Sequence, residues 1–334
     1  MPGKIIDIYK LKERILKADN ILIISHVNPD ADTLGSALGL KWIFAELNKT
    51  ARIICDTGVN EKICGYLNIK PELDNIKNIK EFDYIIAVDA ASVNMLGETL
   101  EKYKNDINLV IDHHVTNSLY GHETYLDEKA AAAGEIIYDL AKEFKLEIDQ
   151  DFAKYIYCAI VSDSGAFRFS STTPKTMRIA AELIETGFDF AKINRLIFEN
   201  KSLEQVALER LAYNSLKLYS NGRIAIINIS RELKKEAGLE GCEIDVIAGI
   251  PRIIMGVEAG VLIKEEDAKL ENKKREFRIS LRSNEYVNVA EIAAQFGGGG
   301  HIRAAGCTFI AEPDLDKPDE YIEKLLIEKI ESVL

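Results

Sequence analysis

ILIISHVNPDADTLGSALGLKWIFAEL, residues 21–47, is the stretch whose reading decides the fold. Residues 21–27 form a short apolar, β-rich run that ends in polar residues. From 33 to 48 the spacing changes: Leu34, Ala37, Leu38, Trp42 and Phe44 or Ala45 fall near a 3.6-residue period, which predicts a helix. The turn between strand and helix holds one histidine and two aspartates, His26, Asp30 and Asp32.

The same alternation continues outward. ARIICDT (51–57), YIIAVDA (84–90) and LVIDHH (109–114) read as further strands, and 130–145, 151–162 and 174–187 as helices. Continuous apolar strands separated by helices predict an α/β fold with a doubly wound, mostly parallel sheet. This first domain is expected to span 1–190. The segment 191–221 is charged and helical in period, with no Gly or Pro through 220, and reads as a helical linker. A smaller α/β domain is expected over 222–334. Its strands would be RIAIINIS (223–230), EAGVLIKEE (258–266) and REFRISLRS (275–283). A helix at 288–296 then runs into GGGGH (297–301). The stretch 319–334 reads as an amphipathic helix with Tyr321, Leu325 and Leu326 on its packing face, and its use as a homodimer contact is left open.

Composition narrows the function. At 334 residues and 47% apolar content, about two domains can bury proper cores. No apolar run approaches the roughly 20 residues of a membrane span. The N-terminal segment is charged and lacks a signal-peptide apolar core, so a cytoplasmic protein without membrane contact is expected. Five cysteines, odd in number and without a CxxC pair, argue against a disulfide framework. A net charge of −12 disfavours a coat for long duplex DNA or RNA, which needs clustered Lys and Arg, yet leaves room for a small anionic substrate. Lys273, Lys274 and Arg275 are set among Glu265, Glu266, Asp267, Glu271 and Glu276, and read as a solvated hairpin.

The chemistry gathers where the strands end. Strand one ends in His26, with Asp30 and Asp32 following. Strand three ends in Asp89, and strand four in Asp112, His113 and His114. The helix at 151–162 runs into Asp163. Ligands of an open α/β sheet bind at the carboxyl ends of its strands, so these side chains should converge. A lone histidine or aspartate at such a position is usually structural, but four such sites at four element ends are not a coincidence of capping. A histidine and carboxylate mixture without cysteine suits hard divalent cations, and two of them about 3.5–4 Å apart are the apparatus of phosphoester hydrolysis.

HVNPDAD (26–32), VDA (88–90), DHH (112–114) and SDSGAF (162–167) resemble the four motifs of the DHH phosphoesterase family. RISLRS and VNVAEIAAQFGGGGHIRAAG, within 278–306, resemble its DHHA1 subdomain, and FRFSSTTPKT (167–176) resembles the NrnA-like subgroup. That subgroup comprises oligoribonucleases that are also 3′-phosphoadenosine 5′-phosphate phosphatases. The resemblance implies two divalent cations, Mn²⁺ first, with Mg²⁺ or Co²⁺ as alternatives. His26, Asp30 and Asp89 would hold one, and Asp32, Asp89, His113 and Asp163 the other. Asp112 would orient a histidine, His114 would lie beside the site and either support a ligand or contact phosphate, and a metal-bridging hydroxide would be the nucleophile. In the second domain Arg282, Ser283, Gly298, Gly299, Gly300 and His301 would bind nucleotide across a cleft from the metals.

The implied substrates are short RNA of about two to five nucleotides, 3′-phosphoadenosine 5′-phosphate, and linear or cyclic dinucleotides. Two other readings compete. A RecJ-type single-strand DNA exonuclease is disfavoured by the acidic balance and by the lack of room for an added OB-type module. A nucleotide-binding sensor without turnover would be favoured by a lost ligand, and none is lost.

Overall fold

In a computed structural model, which describes residues 3–69, 79–240, 242, 244–266 and 274–334, the apolar runs form strands covered on both faces. The chain divides into two compact units between Asn200 and Lys201. The first holds strands β1 (Lys4–Ile5), β2 (Asn20–Ile24), β3 (Thr50–Ile54), β4 (Tyr84–Val88), β5 (Leu109–Asp112) and β6 (Glu123–Leu126). Its helices are α1 (Ile8–Lys17), α2 (Ala31–Glu46), α3 (Glu61–Leu67), α4 (Glu98–Glu101), α5 (Ala133–Glu143), α6 (Gln150–Asp163), α7 (Pro174–Glu185) and α8 (Phe190–Asn194).

The sheet order is β1-β6-β5-β4-β2-β3, and every neighbouring pair is parallel. Alternate residues serve opposite cores. Ile21, Ile23, Ile86, Val88, Leu109 and Ile111 pack into the larger one, which α2, α5 and α6 cover. Leu22, Ile24, Ile85, Ala87 and Val110 pack into the other. This two-sided burial is why the strands are apolar throughout rather than alternating.

The order also contains a reversal. From β2 the chain moves outward to β3, then returns to place β4 on the other side of β2. The loops after β2 and β4 therefore leave in opposite directions and open a crevice at their carboxyl ends, where ligands bind in such sheets.

The second unit holds α9 (Leu203–Ser215), β7 (Lys217–Tyr219), β8 (Ile224–Ile229), α10 (Arg231–Glu236), β9 (Ala259–Glu265), β10 (Arg275–Ser283), α11 (Val289–Ala294), β11 (Gly299–His301), β12 (Ala304–Ala311) and α12 (Pro318–Glu331). Its sheet, ordered β11-β12-β10-β9-β8-β7, is antiparallel except for the β8–β9 pair. Of the segment expected as a linker, Ile193, Leu196, Ile197 and Phe198 pack into the larger core of the first unit, whereas Leu208 and Ala212 of α9 pack in the second. A π-helical turn at Arg195–Glu199 separates α8 from α9, and 217–219 is strand, so the segment is not one helix.

Other differences are local. In α12 the buried stripe is Ile322, Leu326 and Ile330, while Tyr321 is exposed. Lys274 pairs with Glu312, and Arg275 pairs with Glu265, which is buried rather than solvated; Lys273, Asp267 and Glu271 lie outside the described residues. All five cysteines are free thiols. Among the described residues no helix is long and apolar enough to cross a membrane.

Helices α2 and α6 are pressed together at glycines. A Cβ on Gly35 would lie 2.4 Å from the Tyr155 carbonyl oxygen, and one on Gly39 would lie 2.7 Å from Ile156 Cδ1. Gly35→Val should therefore cost roughly 2–3 kcal/mol through overpacking. Urea unfolding checks this, and a change within about 0.5 kcal/mol, the range of an ordinary surface substitution, would contradict the tight contact.

Candidate metal centre

The turn after β2 is built to aim its acids inward. Asn28 takes φ of 49°, and its backbone N–H donates to Thr57 Oγ1 at 2.7 Å. Pro29 follows, and Asp30 then caps α2 by accepting from the Thr33 amide at 3.0 Å. The cap of α2 is thus Asp30 rather than Asp32, which turns into the protein and is fully buried. There its carboxylate accepts from the backbone N–H of Ala133 at 2.7 Å and of Gly134 at 3.0 Å, and from Ser36 Oγ at 2.9 Å. It caps α5, whose own N-cap position is an alanine with no side chain to offer. The amide ends of α5 thereby stabilise a buried negative charge.

Asp89 follows β4 with φ of 57°, a left-handed conformation that costs energy outside glycine and is least costly for Asn and Asp. It lies at the centre of the group. Its Oδ1 is 3.5 Å from His113 Nε2 and 3.7 Å from His114 Nδ1, and its Oδ2 is 3.9 Å from His26 Nε2. His113 Nε2 is also 3.6 Å from Asp32 Oδ2 and 3.5 Å from Asp163 Oδ2. The structure thus brings together His26, Asp30, Asp32, Asp89, His113, His114 and Asp163, from four separate segments. Among the described residues, ligand atoms gather into three overlapping groups: His26, Asp30 and Asp89; Asp32, His113 and Asp163; and Asp89, His113 and His114.

The ring tautomers suit ligation. His26 Nδ1 lies 2.7 Å from the Val27 carbonyl and His113 Nδ1 3.2 Å from the Ala130 carbonyl, so each Nδ1 carries the proton and each Nε2 faces the acids. Fully buried Asp112 accepts from His114 Nδ1 at 2.8 Å, from the His113 amide at 2.8 Å and from Asn117 Nδ2 at 2.5 Å. Asp112 therefore orients His114 and carries no free face toward the crevice.

Two observations show that the donor set fits cations. Asp89 Oδ1 and His113 Nε2 are buried without a hydrogen-bond partner among the described residues, a costly condition that a cation between them would relieve. The acids also repel one another. Burial first, then Asp89 and Asp163, push Asp32 well above the usual aspartate range, and burial with Asp89 and Asp30 carries Asp163 to about 7. Burial works to lower the His113 pKa, but Asp89, Asp32 and Asp163 outweigh it and raise it. His114 is raised mainly by its hydrogen bond to Asp112. Without cations the cluster retains protons that divalent ions would displace.

Thr33 was not picked out from the sequence. Its hydroxyl lies 2.5 Å from His26 Nε2, 2.7 Å from Asp89 Oδ2 and 3.1 Å from Asp30 Oδ1. A threonine three residues after an aspartate looks like part of a helix cap, and only the tertiary position of Asp89 gives it a second role.

In the second unit GGGGH is not a free loop. Gly299–His301 forms edge strand β11 on β12, and a Cβ on Gly298 would lie 2.2 Å from the Gly306 carbonyl oxygen. On Gly300 it would lie 2.6 Å from the Ala304 carbonyl oxygen. These glycines are required for close strand approach. Ser283 is buried and donates its hydroxyl to the Val287 carbonyl at 2.7 Å, so its side chain holds a turn. Arg282 and the exposed His301 both register with Ala304, on either side of it. They share one face of the sheet about 10 Å apart, two strand spacings, with a small residue between them.

Comparison with known proteins agrees with both units. The model of the DHH family N-terminal domain matches residues 20–160, and that of the DHHA1 domain matches residues 198–328. A Streptococcus mutans protein named as a probable bifunctional oligoribonuclease and PAP phosphatase NrnA is 31% identical over 88% of this chain and 90% of its own length. A Bacillus subtilis bifunctional oligoribonuclease and PAP phosphatase NrnA is 29% identical over 90% and 92%. The crystal structure of an exopolyphosphatase-related protein from Bacteroides fragilis has the same fold, with a TM-score of 0.84 at 22% identity, over 96% of this chain and 95% of that one.

The crowded acids predict a pH dependence. A carboxylate whose pKa is raised on folding binds more protons in the native state, so stability falls as pH rises from the unfolded aspartate value, about 3.9, toward the folded value of about 7. The melting temperature of metal-stripped protein should fall between pH 5 and pH 8, and Asp163→Asn should flatten that slope. An unchanged slope in the variant would show that the crowding is not felt.

Proposed function

The chain belongs to the DHH family, with a DHHA1 domain in its second unit, and on that premise we propose that it is a two-metal phosphoesterase of short oligoribonucleotides and 3′-phosphoadenosine 5′-phosphate. One observation carries the chemistry: two ligand triads, His26–Asp30–Asp89 and Asp32–His113–Asp163, meet at Asp89. The names of relatives that align over nearly their whole length support the substrate class. Mn²⁺ fits the mixed imidazole and carboxylate donors.

When bound, such a pair of divalent cations neutralises phosphoryl oxygens and lowers the pKa of water toward neutrality. The protein's own part is positional. Asp89, fixed by its backbone, offers one oxygen toward each histidine. His26 and His113 present bare Nε2 atoms, and Asp32 is held by the α5 amides. His114, gripped at Nδ1 by Asp112 and inclined to stay charged, contacts a phosphoryl oxygen through Nε2–H. In the second unit Arg282 and His301, flanking Ala304, contact substrate phosphate, and the small residue between them leaves room for it. A net charge of −12 disfavours a long phosphate backbone, so short strands are preferred.

Assay of purified protein with Mn²⁺ on 3′-phosphoadenosine 5′-phosphate, a 3-mer, a 24-mer, cyclic dinucleotide and pyrophosphate tests this directly. The expected result is a higher kcat/KM on the 3-mer and 3′-phosphoadenosine 5′-phosphate than on the 24-mer or pyrophosphate. Asp89→Asn should lower kcat by about 10³-fold or more. Processive activity on the 24-mer equal to that on the 3-mer, or an Asp89→Asn variant within tenfold of wild type, would contradict the proposal.

His301→Ala separates substrate grip from metal chemistry. Metal content and melting temperature should stay at wild type while kcat/KM on nucleotides drops by about 10²-fold, roughly 2.7 kcal/mol. A small generic phosphodiester should lose much less. Equal small losses on both substrates would remove β11 from the substrate site.

A further inference from the structure

The two triads differ in one respect. At His26, Asp30 and Asp89 the space between the ligand atoms is taken by the Thr33 hydroxyl, at 2.5, 3.1 and 2.7 Å from His26 Nε2, Asp30 Oδ1 and Asp89 Oδ2. At Asp32, His113 and Asp163 no hydroxyl intervenes among the described residues: there His113 Nε2 is without a hydrogen-bond partner, and the Ser36 hydroxyl meets Asp32 at Oδ1 rather than the Oδ2 that faces His113.

The atoms around Thr33 are all acceptors. Asp30 and Asp89 are carboxylates, and the His26 Nδ1 proton points to the Val27 carbonyl, which leaves Nε2 a lone pair. A hydroxyl has one proton and cannot satisfy three acceptors. A cation can, and to reach these atoms it must take them from the hydroxyl.

We propose that Thr33 is a built-in competitor for the cation at His26, Asp30 and Asp89. It holds that triad together when empty and makes it the weaker and later-filling of the two positions. The inference rests on the two-metal reading above and adds to it an order of loading. Thr33 acts through the ligands and touches no substrate, so it is a positioning residue. Its value to the protein is that the triad stays assembled between cations, while one ion remains exchangeable.

The test is a Mn²⁺ titration of metal-stripped protein, counting bound ions from the loss of the free-ion EPR signal, with melting temperatures of stripped and saturated protein. Wild type should bind two ions in two distinguishable steps. Thr33→Ala should tighten the weaker step about tenfold, about 1.4 kcal/mol, and leave the tighter step alone. It should lower the melting temperature of the stripped protein but not of the saturated protein. Thr33→Ser, which keeps the hydroxyl, should follow wild type throughout. A weaker step in Thr33→Ala that is unchanged or loosened, with two ions still bound, would overturn the competitor role and leave the two-metal reading standing. Fewer than two ions on wild type would overturn both.

Discussion

Three aspartates within 3.6 Å of one imidazole nitrogen, in a crevice that is largely buried, form an arrangement that the protein alone cannot neutralise. Like charges at this distance and depth raise each other's pKa values, and the neighbouring histidines do not offset that effect on Asp32 and Asp163. The remaining structure serves to hold these groups against their repulsion. The α5 amides grip Asp32, the strained backbone of Asp89 fixes its carboxylate, and the Val27 and Ala130 carbonyls set the two histidine tautomers. Without that support each acid would swing out to water, and the cluster of metal-ligating groups would come apart.

The sheet topology supplies the crevice. Because β4 lies on the opposite side of β2 from β3, the residues after β2 and β4 face each other across a gap rather than being covered by a crossing helix. Helix α2 starts in that gap and α6 ends in it, and their close approach at Gly35 and Gly39 fixes the spacing of Asp32 from Asp163. A side chain at either glycine would push the two helices, and with them two of the acids, apart. Packing and chemistry are thus coupled through the close approach of the two helices.

Much of this was legible in the residues. Strands β2, β4 and β5 are apolar along their length because both faces are covered, and that signal survives in sequence. The ligand candidates stood out because histidine is scarce and three of the five follow strands. Other features were not legible, for physical reasons. Strands β1 and β6 are short and partly polar, KI and ETYL, and become strands only by pairing with neighbours. GGGGH reads as a turn because glycine is a poor strand former, yet here strand approach demands it. The inward turn of Asp32, the positive φ of Asp89 and the triple contact of Thr33 are tertiary facts without a local signature. Ser283 shows the converse: a polar residue beside an arginine suggests a ligand contact, but its hydroxyl serves the turn behind it.

The proposed two-metal site depends on Asp89 joining two cation positions. A crystal structure of the protein grown with Mn²⁺, with anomalous data collected at the manganese edge, measures this directly. Two anomalous peaks about 3.5–4 Å apart, with Asp89 touching both, His26 and Asp30 on one and Asp32, His113 and Asp163 on the other, are the predicted result. A single peak, or two peaks of which Asp89 touches only one, would contradict it.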